Sequence, residues 1–143
     1  MNIFSLTYLF LLFFLPSNIS RTSNDVNILL NDIILPDGFN IEVYASDVEN
    51  ARSMAISPSG TIFVGNRRED NVFALRDTDG DNVVDKKILI SNKLTNMPNG
   101  VAFHNGNLYV AEVNKIWVFK NIESNLNKMD NTDDYSEDPV LIS

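Results

Sequence analysis

From Leu35 onward the chain is a succession of short apolar runs separated by turn residues. Phe39 to Ala45 reads Phe-Asn-Ile-Glu-Val-Tyr-Ala, an alternation close to the period of two that marks a strand with one covered face. Ser53–Ser57, Thr61–Gly65, Val72–Arg76 and Lys87–Ser91 follow as strand candidates, with Pro58-Ser59-Gly60 turning the chain between the first two. Gly100–Phe103, Leu108–Ala111 and Ile116–Phe119 come next. The link His104-Asn105-Gly106-Asn107 contains Asn-Gly, the strongest short-range hairpin signal, because both residues tolerate the positive φ of a two-residue turn. No stretch after the N-terminal segment sustains a 3.6-residue period, and a short helix is expected only within Asn121–Met129. The predicted class is all-β.

The strands repeat. Met54-Ala55-Ile56 matches Val101-Ala102-Phe103, and Thr61–Gly65 matches Asn107–Ala111. Asn71–Leu75 matches Lys115–Phe119, and Ile88–Ser91 matches Val140–Ser143, at offsets of 47, 46, 44 and 52 residues. Four short strands recurring every 40–50 residues or so is the pattern of β-propeller blades, four-stranded antiparallel sheets set around an axis. Blade one then covers about 51–91 and blade two about 97–143. A blade buries its faces only against neighbouring blades, so two cannot close a ring. The strand at 39–45 has no partner in its own repeat and is expected to complete the last blade and close the ring. On this reading 35–143 is the N-terminal third of a larger propeller, from a truncated reading frame or an incomplete sequence. A complete small β-sandwich is the competing architecture, and it leaves the blade spacing unexplained.

Met1–Leu15 carries no charge, and Leu9–Leu15 reads LFLLFFL before Pro16 and a polar run. That apolar core is short of the ~20 residues of a spanning helix and suits a signal peptide over 1–20, followed by a linker over 21–34. The segment lacks the usual basic start, so an uncleaved anchor is the alternative, and cleavage near Ser17, Ser20 or Ser23 is open. Export places the protein in the periplasm or outside the cell. The 143 residues make one domain at most, and 44% hydrophobic with 21% charged residues excludes wholesale disorder. A net charge of −8 argues against nucleic acid as a partner, and nothing beyond the leader points to a membrane. The absence of Cys removes disulfides, thiolate metal sites and Cys nucleophiles, and His104 is the single His.

The stretches LPDGFNIEVYAS, ARSMAISPSGTIFVGNR, NVFALRDTDGDNVVD and MPNGVAFHNGNLYVAEVNKIWVF, in this order, resemble the start of the sorbosone/glucose dehydrogenase-like proteins. These are soluble pyrroloquinoline quinone (PQQ) dependent sugar dehydrogenases, the pyranose dehydrogenase propellers included, and the resemblance runs from about Leu35 to Glu123. It implies a six-bladed propeller with PQQ in the central depression and Ca²⁺ beside it. It also implies oxidation of a sugar hemiacetal or aldehyde, with an external electron acceptor, by hydride transfer from sugar C1 to a PQQ carbonyl carbon while a His takes the hydroxyl proton. In the family that His lies on a later blade. His104 sits in a hairpin turn and does not match it, so no residue of this chain is assigned as catalytic.

Three residues at the ends of the inner strands are cofactor-binding candidates: Arg52 before the first strand of blade one, Asn99 at the matching place in blade two, and Arg67 after the second strand of blade one. A guanidinium suits the PQQ carboxylates because it binds them bidentately. Ordinary ion pairs with Glu49 or Glu69 are the alternative for both arginines. Glu112, the counterpart of Arg67, can face the same mouth or hold a neighbouring strand. The metal candidates are Asp77, Asp79, Asp81 and Asp85 in Asp77-Thr78-Asp79-Gly80-Asp81-Asn82-Val83-Val84-Asp85. Four carboxylates at positions 1, 3, 5 and 9 can converge hard oxygens on one Ca²⁺. The pattern departs from an EF-hand, with Gly fourth and Ile88 at position 12, and is closer to dockerin or thrombospondin-type loops. A solvated acidic turn is the alternative.

Phe73, Tyr109 and Trp117 read as packing between blades, and Asp130–Asp138, five acids in nine residues, as a solvated loop. The leading expectation is the N-terminal part of an exported PQQ-dependent sugar dehydrogenase, inactive as a piece. Its rivals are a secreted Ca²⁺-binding propeller that binds glycan or protein without catalysis, and a propeller lactonase-type hydrolase in which central Ca²⁺ activates water.

Overall fold

A computed structural model describes residues 30, 32–129, 135 and 137–142. The expected signal peptide, most of the linker, and Asp130, Asp133 and Asp134 of the acidic run lie outside these residues. Among the described residues, no helix is long and apolar enough to cross a membrane. The chain divides after Ile41. In the first unit Gly38, at φ 85°, turns the chain, and Phe39 N–H bonds the Pro36 carbonyl.

The second unit is all-β: two four-stranded antiparallel sheets, each a simple meander. The first sheet comprises β1 (Ala51–Ile56), β2 (Ile62–Asn66), β3 (Val72–Arg76) and β4 (Lys86–Ser91). The second comprises β5 (Gly100–His104), β6 (Asn107–Ala111), β7 (Ile116–Phe119) and β8 (Val140–Leu141). A short helix, α1 (Ile122–Leu126), follows β7, inside the stretch where the sequence predicts one.

Local chemistry accounts for the turns. Gly60, at φ 88°, closes the β1–β2 link with its N–H on the Ser57 carbonyl. Asn105 and Gly106, at φ 47° and 79°, form the two-residue β5–β6 turn, with His104 opposite Asn107. Between β2 and β3, the buried Asn66 accepts the N–H groups of Arg68 and Glu69 on Oδ1 and donates Nδ2 to the Glu49 carbonyl.

The pleat then decides the core. Ala55, Phe63, Ala74 and Ile88 stand opposite one another across the first sheet, on the face turned to the second. The second sheet answers with Val101, Phe103, Leu108, Val110, Trp117 and Phe119. Phe63 and Phe103 stack with ring centroids 5.7 Å apart and planes 6° from parallel. Ile122 and Leu126, four apart on one face of α1, close the end of this core.

Residues 39–45 join no ladder among the described residues, and the last blade that the ring-closing strand is expected to complete is not among them. Alternation records that one face of a segment is covered; a strand also needs a neighbour's backbone to exchange hydrogen bonds with. From Glu42 to Val48 the chain instead runs as a strap beside Met54, Ile62, Val64 and Leu75, on the outward face of the first sheet. Val84 N–H on the Tyr44 carbonyl (2.9 Å) and the Lys87–Asp47 ion pair tie it down.

Glu123 of α1 reaches across to the β1–β2 turn, where its carboxylate accepts the hydroxyls of Ser57 and Ser59. Burial raises its pKa, but the two serine bonds outweigh burial and hold it below the ordinary 4.5. A carboxylate with a lowered folded-state pKa contributes stability that is complete above its unfolded value and lost as pH falls through the folded one. Wild type is therefore expected to lose thermal stability below about pH 4.5 more steeply than Glu123→Gln, whose melting midpoint starts lower at pH 7. Parallel melting curves in acid would refute this.

Candidate functional site

The ends of the inner strands meet in a cleft of about 340 Å³ lined by Arg67, Met97, Asn99, Gly100, Ala111, Glu112 and Val113. The turn Asn96–Gly100 contributes Met97, Asn99 and Gly100 to it and is held by β1, β2 and the residues after β6. Ser53 Oγ donates to the Asn99 carbonyl (2.6 Å) and accepts from Val101 N–H (3.1 Å), clamping the backbone on both sides of Gly100. Asn66 N–H donates to the Pro98 carbonyl at 3.0 Å. Glu112 accepts Asn96 N–H on Oε1 (2.8 Å) and the Trp117 indole N–H on Oε2 (2.7 Å). Met97 adopts φ 54°, a left-handed conformation that a non-glycine residue holds only where its surroundings enforce it.

Of the cofactor-binding candidates, Arg67 and Asn99 come together in this cleft. Arg52 occupies the bulge where the β1–β2 register shifts between Ala51 and Ser53, at the same end of the sheet but outside the lining. Among the described residues, neither arginine pairs with Glu49 or Glu69. Asn99 Oδ1 is buried with no hydrogen-bond donor. An acceptor left so costs about 1–3 kcal/mol, which a bound donor would recover. Glu112 lines the cleft, but both its oxygens are engaged in holding the turn and Trp117. His104 is exposed at the end of β5, beside the hairpin turn.

The β3–β4 loop forms a second cluster. Carboxylate oxygens of Asp77, Asp79 and Asp85 lie within 4.8 Å of one another. Asp81 stays outside the group and accepts Val83 N–H instead (2.8 Å). The loop is built for this convergence. Asp77 accepts the N–H groups of Gly80 (2.7 Å) and Asn82 (2.9 Å), and Asp85 Oδ2 accepts both the N–H and the hydroxyl of Thr78 (2.6 Å each). The bond from Gly80 heads the causes that lower the Asp77 pKa, and the Thr78 hydroxyl does the same for Asp85. Asp79 moves the other way. A bond from Asp81 N–H favours its charge, but the carboxylates of Asp81, Asp85 and Asp77 outweigh that and push its pKa up. Ca²⁺ takes oxygens at about 2.3–2.6 Å, so three oxygens within this spacing fit around one such ion, with water completing the shell.

The sequence reading passed over Ser53, Gly65, Asn66 and Thr78, the residues that shape the two clusters without facing a ligand. Gly65 carried a usable signal: a glycine inside a strand marks a bulge or a close backbone approach. An alanine Cβ at 65 would lie 2.5 Å from the Asn99 oxygen and 2.7 Å from that of Pro98.

No protein-family model matches the chain, and neither does any solved structure. Among curated proteins it is similar to an uncharacterized protein of Borreliella burgdorferi, at 27% identity over 116 residues. The alignment covers 80% of this chain and 28% of that protein, so the chain matches little more than a quarter of its relative.

Proposed function

We propose that the two sheets are successive blades of a six-bladed β-propeller, and that the chain is the N-terminal part of an exported, PQQ-dependent sugar dehydrogenase of the aldose or sorbosone type. The carrying observation is the cleft, which Arg67 and Asn99 both line at the inner-strand ends. Two meanders of four strands, related by the sequence repeat, support the blade reading. Arg67 would hold a carboxylate of the quinone through its planar fork, Asn99 would accept an N–H or hydroxyl, and Arg52 would add positive charge at the same rim. When bound, PQQ supplies a carbonyl carbon that accepts hydride from a sugar. The proton acceptor, the remaining wall of the site and the contact with an external electron acceptor belong to further blades. Asp77, Asp79 and Asp85 would hold a structural Ca²⁺ in the β3–β4 loop, apart from the cleft.

Trp117, the single tryptophan, touches the cleft through Glu112 and reports on it. Titration with PQQ, corrected for its absorbance, is expected to change Trp117 emission saturably, and Arg67→Ala to weaken that response about tenfold, a loss of ~1.4 kcal/mol. Calcium at 100 times its dissociation constant is expected to add about 2.7 kcal/mol of stability, abolished by chelator and by Asp85→Asn. An unsaturable PQQ response, or one indifferent to Arg67→Ala, overturns the dehydrogenase reading. A calcium effect surviving that failure would favour the non-catalytic Ca²⁺-binding propeller.

A further inference from the structure

The internal repeat aligns the segment entering β1 with the segment entering β5. Asn50-Ala51-Arg52-Ser53-Met54 matches Met97-Pro98-Asn99-Gly100-Val101 at a constant offset of 47 residues. The backbone agrees at the first of these positions, with Asn50 at φ 55° and Met97 at φ 54°. Each turn is also tied to the end of its own sheet, by Arg67 N–H on the Asn50 carbonyl (3.4 Å) and by Val113 N–H on the Asn96 carbonyl (3.1 Å). The fold therefore requires one left-handed residue ahead of each of these strands.

Asparagine meets that requirement readily, because its short polar side chain bonds to nearby backbone; methionine has no such compensation. The other described non-glycine residues at positive φ are Asn50, Asn82, Asn105 and Asn121, all asparagine. Met97 departs from the choice that the rest of the chain makes, and core packing does not explain it, because Met97 is 45% exposed. Its side chain lines the cleft together with Arg67 and Asn99. Neighbouring sheets do not cover this position. Met97 is exposed with the preceding sheet docked beside its own, and Asn50 is exposed with the following sheet docked beside its own. On the same pattern, a further blade on the second sheet leaves Met97 open to the cleft.

We propose that Met97 is a ligand-contact residue of the cleft, its thioether side chain forming an apolar wall against the flat face of the conjugated quinone whose carboxylate Arg67 holds. The proposal rests on the reading of the cleft as the PQQ site and adds to it the side chain that meets the ring. A flexible, polarisable thioether gains from contact with an aromatic face, while the planar fork of Arg67 suits the ring's charged edge. Strain held at a ligand site, in a residue whose repeat counterpart avoids it, is the mark of a side chain retained for binding. Asparagine at 97 would relieve the backbone and replace the apolar wall with a polar one.

Full chain carrying Met97→Asn, the residue of the matching turn, separates backbone from ligand effects. Without ligand it is expected to melt about 3 °C or more above the wild type, because the strain is relieved. Followed through Trp117 emission, its dissociation constant for PQQ is expected to rise about fivefold. Met97→Leu keeps the apolar bulk and is expected to bind PQQ within about twofold of the wild type. Peroxide footprinting scored by mass spectrometry reads the contact itself, with Met54, 68% exposed and outside the cleft lining, as internal standard. Saturating PQQ is expected to slow sulfoxide formation at Met97 about fivefold and to leave Met54 unchanged. Four results would each overturn the proposal: Met97→Asn melting below the wild type, Met97→Asn binding PQQ as tightly, Met97→Leu binding as weakly as Met97→Asn, or Met97 oxidising equally fast with and without PQQ. In a wild type that binds PQQ, those results sink this inference alone. A wild type that binds no PQQ sinks the dehydrogenase reading, and the assignment of Met97 with it.

Discussion

Phe63→Ala is expected to cost about 4 kcal/mol and to lower the thermal midpoint by roughly 15 °C or more, the largest effect of any single truncation in the fold. Phe63 is wholly buried, sits at the centre of the first sheet's inward face and stacks on Phe103 of the second. Truncation removes the transfer free energy of the ring, leaves a cavity that two pleated sheets cannot collapse to fill, and deletes an aromatic pair worth about 1 kcal/mol beyond its area. Against a total stability of about 5–15 kcal/mol, that is between about a quarter and most of the total. Urea denaturation checks it: the midpoint falls while the slope, set by surface exposed on unfolding, stays constant. Phe73→Ala, on the outward face and half-exposed, should cost much less. Equal losses at both positions would mean that the two sheets do not share one core.

Gly65→Ala is expected to cost about 3 kcal/mol, at the upper end for inserting a single methyl into packed surroundings. The new Cβ would meet the carbonyl oxygens of Asn99 and Pro98 at 2.5 and 2.7 Å, and these are backbone atoms with no rotamer to change. Relief therefore requires the Asn96–Gly100 turn to move off β2. That movement breaks the Asn66 N–H bond to the Pro98 carbonyl and pulls Asn99 away from Arg67. Gly100→Ala provides the contrast. Its Cβ would meet the Ala111 Cβ at 3.2 Å, a contact that a few tenths of an ångström relieve, so a cost below about 1.5 kcal/mol is expected. Melting curves for both variants test the difference, and Trp117 emission reads the turn directly, since Glu112 links Trp117 to Asn96. A Gly65→Ala protein as stable as wild type, with unaltered emission, would show that the turn does not rest on β2.

Strand positions were legible because they are set locally. The predicted runs coincide with β1 to β7 to within two residues at either end, and the Asn105-Gly106 turn forms where two adjacent residues that accept positive φ interrupt an alternating pattern. The segment 39–45 shows the limit. Its alternation is real, and its residues from Glu42 do cover apolar surface, but as a strap across a sheet face with no ladder. Composition cannot distinguish the two, because both place alternate side chains against something apolar.

The two clusters divide in the same way. The carboxylates of the β3–β4 loop lie within nine consecutive residues, so their convergence could be read from the chain, except for Asp81. Asp81 instead accepts Val83 N–H, and the direction its side chain takes there is a detail that spacing alone does not carry. In the cleft, Arg67 and Asn99 lie 32 residues apart, and repeat equivalence was enough to place both at the inner-strand ends. The engagement of both Glu112 oxygens, the exclusion of Arg52 by a bulge and the approach of Asn99 to Gly65 were beyond it.

By itself the sequence determined the all-β class, the eight strands, their grouping into two equivalent sets of four and the tight turns. Pleat period, φ preference and side-chain hydrogen bonds to nearby backbone act over a few residues and are written in order along the chain. Only the tertiary structure decided which sheet faces meet, which remain open, and which polar groups end up buried without a partner. Those outcomes depend on docking two preformed surfaces, where a shift of one ångström makes or breaks a contact while every local preference stays satisfied.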